Sequence, residues 1–152
     1  LSARFCGGHP MAGSESSGYK ASDSLLLENA YYLLTPGQGF PTESIEKMKS
    51  FLSSIGSIPF VMNPEEHDKS VACVSHLPHL IAASLVKLLK EEDEKGTMKK
   101  LAAGGFKDIS RIASSSPIMW QQICLSNKEP IIQMLKHYQS LLEEIKTSIQ
   151  KE

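Results

Sequence analysis

Four of the five histidines in this chain stand in company that could move protons or grip anions. His9 lies in RFCGGHPMAGSESSGY, residues 4–19. Pro10 fixes the backbone after it and removes an N–H, so the imidazole is held at a rigid corner. Gly7, Gly8 and Gly13 allow a backbone to come close to a ligand. Ser14 and Glu15 add a hydroxyl and a carboxylate. A neutral imidazole with a pKa of about 6.5 accepts a proton or a hydrogen bond at neutral pH. The same residues equally describe a glycine-rich loop with a solvated histidine, and spacing alone does not choose between the two.

A second cluster, HDKSVACVSHLPH, occupies residues 67–79. On a helix Asp68, Ala72, Ser75 and His79 share a face, His76 lies one position over, and His67 falls near the helix start. A solvated polar stripe is the plain reading, and a metal site is the rival, because histidine and aspartate are good ligands. A metal-dependent hydrolase would use His67, Asp68, His76 and His79. Against it, His76 and His79 are spaced i, i+3 around Pro78, whereas the strongest helical ligand pair is i, i+4. A third stretch, GGFKDISRIASSSPIMW, spans residues 104–120. Gly104-Gly105 reads as a helix break, followed by Lys107, Asp108 and Arg111. The Arg111 fork suits a carboxylate or phosphate; a surface charge network around Asp108 is the alternative. Trp120 and Met119 read as core, and Cys6, Cys73 and Cys124 as small buried hydrophobes.

The elements that must position these residues divide in two. Residues 1–8 read as a short strand ending at Gly7-Gly8, 9–24 as loop, and 28–36 as a second strand. TESIEKMKSFLSSIG forms a helix capped by Thr42, Ser44 and Glu46, with Ile45, Met48, Phe51, Leu52 and Ile55 on one face and Gly56 at its end. Residues 57–62 give a further strand. This strand–helix–strand order suits the end of an α/β sheet. Asn63 then caps a helix with Pro64 at its first position and Glu65 and Glu66 in its first turn. It should run to about Lys90, with a kink at Pro78 that frees a carbonyl near Val74. A charged turn at 91–97 leads to helices at 97–103, 108–113, 117–126 and 127–150. The last carries Ile131, Leu135, Tyr138, Leu142, Ile145 and Ile149 at helical spacing. The fold class is therefore mainly α: a few short strands and one helix, then an all-helical half that completes its core by dimerising.

Composition narrows the partners. The chain has 152 residues, 41% hydrophobic and 22% charged, with formal net charge −1. No basic excess points to nucleic acid or an anionic membrane. Three cysteines without CxxC spacing speak against disulfides or structural zinc and suit a reducing cytoplasm. No apolar run approaches the ~20 residues of a membrane span. The first residue is not Met and no signal-peptide core follows, as expected of an excised piece.

The three quoted stretches, in this order and separation, resemble the prephenate dehydrogenase family from Arg4 to about Leu125; arogenate dehydrogenases are similar. The resemblance implies the last part of a Rossmann NAD(P)-binding domain over residues 1–62 and a helical dimerisation and substrate domain over 63–152. The family's GxGxxG, its acidic ribose-binding residue and a serine beside the catalytic histidine have no counterpart here, so this piece alone is expected to bind no dinucleotide and to be inactive. The implied reaction is oxidative decarboxylation of prephenate to 4-hydroxyphenylpyruvate with NAD or NADP, a step towards tyrosine. His9 matches the catalytic histidine, with activity rising through roughly pH 6 to 7. Ser14 and Glu15 match pocket positions. His67, Ser75, His76 and His79 would face the same cleft, and Arg111 would hold a substrate carboxylate, reaching from the dimer partner and pairing with Asp108 when the site is empty. Gly8 and Pro10 fall on the cofactor side. The resemblance further implies no metal, a cytoplasmic homodimer and tyrosine as an inhibitor. A non-catalytic helical dimerisation module is the remaining alternative.

Overall fold

The apolar run YYLLTP forms the middle strand of the sheet. In the computed structural model, which describes residues 4–13 and 18–151, strand β1 (Cys6–Pro10) runs antiparallel to β2 (Tyr31–Pro36), and β2 runs parallel to β3 (Ile58–Val61). Helix α1 (Thr42–Ser54) bridges the parallel pair, which makes residues 31–61 one βαβ unit. The register sets Gly8 opposite Leu34 and His9 opposite Leu33. Side chains alternate along a strand, so Cys6, Gly8, Tyr32 and Leu34 share the face that meets Met48, Phe51 and Leu52 of α1 around a cavity of about 310 Å³. His9 and Leu33 share the other face. Leu34 is fully buried and anchors this unit.

β1 runs past the glycine pair that was expected to end it and carries His9 inside the strand. Neighbours explain the pair: a side chain on Gly7 would collide with Thr35 Oγ1, and one on Gly8 would begin 3.0 Å from the Tyr32 ring. β2 starts at Tyr31 rather than 28. Helix α1 also differs at its start. Pro41 occupies the capping position and its carbonyl accepts the Ser44 and Ile45 amides, so Thr42 makes no side-chain cap. Its end follows the sequence reading. Gly56 has φ +83°, its N–H reaches the Ser53 carbonyl, and the Ser57 N–H reaches the Leu52 carbonyl at 3.1 Å.

Asn63 caps helix α2 (Pro64–Val71): its Oδ1 accepts the Glu66 N–H at 2.7 Å and its carbonyl accepts the His67 N–H at 3.0 Å. A π-helical turn (Ala72–His76) follows, and α3 (Leu77–Glu92) continues the helix. The irregularity stands just before Pro78, whose ring cannot follow an α-helical carbonyl; the Leu77 N–H bonds back to the Ala72 carbonyl and carries the chain past it. Then come α4 (Thr97–Leu101), α5 (Gly104–Arg111), α6 (Pro117–Ser126) and α7 (Lys128–Gln150). The carboxylate of Asp93 caps α4, with Oδ1 accepting the Met98 N–H at 2.9 Å and Oδ2 the Lys99 N–H at 2.8 Å. These amides, that of Lys99 foremost, hold its pKa below the usual carboxylate value. Gly104 and Gly105 open α5 instead of breaking a helix, and Ala103 before them is extended.

The chain forms two compact units, Leu1–His67 and Asp68–Glu152. In the second, α3 packs on α5 and on the 3₁₀ turn Ile112–Ser114, while α7 packs on the π-helical turn, on α3 and on α6. Val71, Ala72, Ala82 and Ile131 are its buried apolar residues. Beyond Ile131 the α7 stripe emerges, with Ile145 56% and Ile149 71% exposed. The continuous helix Pro64–Glu92 reaches mean hydropathy 1.5 in its most apolar stretch, enough by length and composition for a membrane span, contrary to the sequence reading. Val71, Ala72 and Ala82 of this helix are buried in the helical unit together with His76 and His79, while Val74 and Leu88 are exposed.

Asn63→Ala removes the cap of α2 and should lower the unfolding free energy by about 1 kcal/mol. The midpoint of denaturant unfolding would fall with an unchanged slope, and a changed slope would contradict a purely local effect.

Candidate functional site

His9 lies within β1, half-buried, on the sheet face away from α1. His67, in the first turn and a half of α2, brings its ring to it. His9 Nδ1 and His67 Nε2 are 2.9 Å apart, and the rings meet edge to face with centroids 5.2 Å apart. The chain after Pro10 is pinned by the Met11 N–H on the Tyr31 carbonyl at 2.8 Å. Burial, and secondarily the neighbouring His67, push the His9 pKa below 6.5. His9 is therefore neutral at neutral pH and carries a lone pair on one nitrogen. Gly8 and Pro10 fall on the α1 face of β1, opposite His9, with the Tyr32 ring against Gly8. Among the described residues nothing lies within 4 Å of where a Gly13 side chain would begin. Ser14 and Glu15 lie outside the described residues.

The helical unit holds a second group. His76 and His79 are both buried. His79 stacks flat on Trp120, centroids 3.5 Å apart and planes 4° from parallel, and His76 meets the same indole edge-on at 6.1 Å. The Asn127 side-chain amide donates from Nδ2 to the Asp68 carbonyl at 2.8 Å and lies 3.2 Å from His76 Nδ1. Donation there leaves the His76 proton on Nε2. Three buried polar atoms, His79 Nδ1, Trp120 Nε1 and Asn127 Oδ1, make no hydrogen bond with the described residues. Burial lowers the His79 pKa, and a hydrogen bond to the Ile112 backbone opposes that. Ser75 is half-buried on the π-helical turn, and Arg111 and Asp108 are exposed at the end of α5. A cavity of about 730 Å³ in this unit, between Val86, Leu89, Lys90, Phe106 and Lys107, is lined by none of these histidines.

His9 and His67 thus come together, and so do His76 and His79. Among the described residues no three histidine, cysteine or acidic side chains converge as a metal site. His67 is engaged with His9, and His76 and His79 lie against Trp120, so the metal-hydrolase alternative has no geometry to stand on. Trp120 is a half-buried ring partner rather than core, and Cys73 is exposed rather than buried. Sequence reasoning missed Asn127. Its one signal is a place just before a helix, which reads as a cap, yet its amide spans to Asp68 and His76 instead.

Known proteins match the chain in two parts, which meet at residues 61–63. Residues 1–61 match the family model described as prephenate dehydrogenase, nucleotide-binding domain, and residues 63–152 match prephenate dehydrogenase, dimerization domain. The prephenate dehydrogenase of Bacillus subtilis (strain 168) is 44% identical over 150 residues, covering 98% of this chain and 40% of the relative. A crystal structure of prephenate dehydrogenase from A. aeolicus in complex with hydroxyphenyl propionate and NAD+ superposes with TM-score 0.89 at 37% identity, over 97% of this chain and 52% of that one. Synechocystis arogenate dehydrogenase superposes with TM-score 0.84 at 31% identity, over 97% and 54%. The chain thus spans 40% of the length of that curated relative and about half of each solved one.

The depressed pKa values of His9 and His79 set a pH dependence of stability. Between each folded pKa and about 6.5 the unfolded chain binds more protons, so the unfolding free energy should rise with pH up to about 6.5 and level above it. His79→Phe keeps a ring on Trp120 and removes one titrating group. Denaturant unfolding from pH 5 to 8 should show a shallower acid limb in that variant; an unchanged limb would exclude His79 as a contributor.

Proposed function

This chain belongs to the prephenate dehydrogenase family, and from that membership we propose that the whole protein converts prephenate to 4-hydroxyphenylpyruvate by oxidative decarboxylation, with NAD as the acceptor. The observation that carries the reading is His9: half-buried, held within a strand, and neutral because burial and His67 disfavour its cation. A ring hydroxyl that is to become a carbonyl must lose its proton as hydride leaves the same carbon, and a neutral imidazole at a fixed place accepts that proton. When bound, the nicotinamide supplies the hydride acceptor. The carboxylate on the ring leaves as carbon dioxide, the electron pair of the broken C–C bond completes the aromatic ring, and the proton held by His9 returns to the phenolate oxygen of the product.

Gly8 and Pro10 keep the cofactor-side role that the family pattern gives them, on the α1 face of β1, where Gly8 lines a cavity of about 310 Å³ with Tyr32. Arg111, exposed and carrying a planar fork, is assigned to a substrate carboxylate. His76 and His79, with Ser75, are assigned to the substrate side; the free capacity of His79 Nδ1 and Trp120 Nε1 suits a polar ligand or ordered water. Ser14 and Glu15 keep the pocket roles that the family pattern gives them. The exposed apolar stripe on the second half of α7 supports a homodimer. A cytoplasmic location and inhibition by tyrosine, which resembles the product, complete the reading. Arogenate is the second candidate substrate, because an arogenate dehydrogenase is among the similar structures.

Reduction of NAD, followed at the nicotinamide absorbance with prephenate and with arogenate, tests this on the whole protein. His9→Asn should lower kcat by about 10²- to 10⁴-fold with little change in KM. Arg111→Ala should raise KM by about 10- to 100-fold and leave kcat nearly intact. The kcat/KM of the unsubstituted protein should rise with pH through a midpoint below 6.5, lower than the family pattern alone suggested. The opposite split between the two variants would remove the assignment.

A further inference from the structure

Two imidazole nitrogens 2.9 Å apart can share one proton and no more. Either His9 Nδ1–H donates to His67 Nε2, or His67 Nε2–H donates to His9 Nδ1. The choice decides what His9 offers on its other side. In the first arrangement His9 Nε2 is a bare lone pair; in the second it carries a hydrogen and cannot take a proton. We infer that His67 is a positioning residue that sets the tautomer of His9, its Nε2 accepting the Nδ1–H so that the His9 Nε2 lone pair is free for a substrate proton. The inference rests on the proton-acceptor role given to His9 above.

Three features carry it. The contact is short and made by ring nitrogens of residues 58 positions apart, so it is a product of the fold and not of local chain geometry. Both partners are on regular elements: His9 lies within β1, and His67 follows the Asn63 cap by one turn, with its own N–H on the Asn63 carbonyl. Strand pairing therefore fixes the backbone at His9, and the helix start fixes it at His67. Third, the arrangement survives the reaction. When His9 Nε2 takes the proton, Nδ1–H still points at His67 Nε2, and the bond becomes charge-assisted and stronger. The alternative tautomer offers no such path, since His9 Nδ1, its only lone pair, is already filled by His67. The proton goes from the substrate hydroxyl to His9 Nε2, and His67 neither gains nor loses one.

This assigns His67 to His9 and not to the substrate, and the two roles give different kinetics. Nitrogen-15 NMR of histidine-labelled protein, with His9→Asn used for assignment, reads the tautomer without any turnover. The expected result at pH 8 is His9 protonated on Nδ1 and bare on Nε2. His67→Phe, which keeps an aromatic ring but has no acceptor, should spread His9 over both tautomers, and should lower kcat by about 10- to 100-fold with KM unchanged. His67→Gln, whose Oε1 can accept the same N–H, should restore the Nδ1–H form and bring kcat back to within about 10-fold of the original. A His9 found protonated on Nε2 in the unsubstituted protein overturns the inference, as does a His67→Phe protein whose loss is all in KM. Should the protein reduce no NAD with prephenate or arogenate, the dehydrogenase reading fails, while the nitrogen shifts still decide the tautomer by themselves.

Discussion

One proton between two imidazoles is the constraint on which the sheet-side chemistry depends. His9 and His67 are 2.9 Å apart at their nearest nitrogens, and that distance has to be delivered by two unrelated elements. β1 must carry His9 on the face away from α1, which requires the register Gly8–Leu34 and His9–Leu33. A slip of one residue would turn His9 towards α1 and put Gly8 in its place. The glycine pair guards that register. A side chain at Gly7 would meet Thr35 and one at Gly8 would meet Tyr32, so the strand fits only as it stands. Their smallness is what lets Thr35 and Tyr32 come this close to the strand.

The second element is the start of α2, and it is locally determined. Asn63 accepts the Glu66 N–H, Pro64 sits where no intrahelical N–H is needed, and Glu65 and Glu66 face the positive end of the helix. His67 falls at the first position whose N–H closes a helical turn, on the Asn63 carbonyl. The cap therefore governs more than helix stability. It sets the rotation of the first turn, and through it the direction in which His67 projects.

Much of this could be read from the chain. Gly56 as a helix end and Asn63-Pro64 as a helix start are local signals, satisfied by backbone and cap groups within a few residues, and both hold. The order of strands and helices is likewise a matter of local period and breakers. What the sequence hid was long-range. Nothing in residues 4–19 says that His9 will meet a ring 58 positions away, and nothing near Asn127 says that its amide will reach Asp68 and His76. Local signals also misled where a tertiary or backbone alternative was available. Thr42 is a good capping residue, but Pro41 had already taken the position. Gly104 and Gly105 look like a break, yet they stand as the first two residues of α5 and not in a helix interior, where glycine's loss of backbone freedom is most costly. Trp120 reads as core by composition, but the two histidines of the preceding helix claim its faces.

Pro78 shows how one backbone constraint can arrange side chains. In an unbroken α-helix its ring would clash with the carbonyl of Val74. The chain answers with a π-helical turn over Ala72–His76, and the extra residue rotates all that follows relative to α2. His76 ends that turn and His79 begins the next, and both rings arrive on one indole, one flat and one edge-on. Flat stacking on Trp120 buries His79 and lowers its basicity, while Asn127 supplies His76 Nδ1 with a donor. Each ring then has a fixed orientation before anything binds, and orientation fixed in advance is what a site needs to select a ligand without reorganising. Three buried polar atoms in the same group, His79 Nδ1, Trp120 Nε1 and Asn127 Oδ1, make no hydrogen bond with the described residues, at a cost of about 1–3 kcal/mol for each one that stays unpaired.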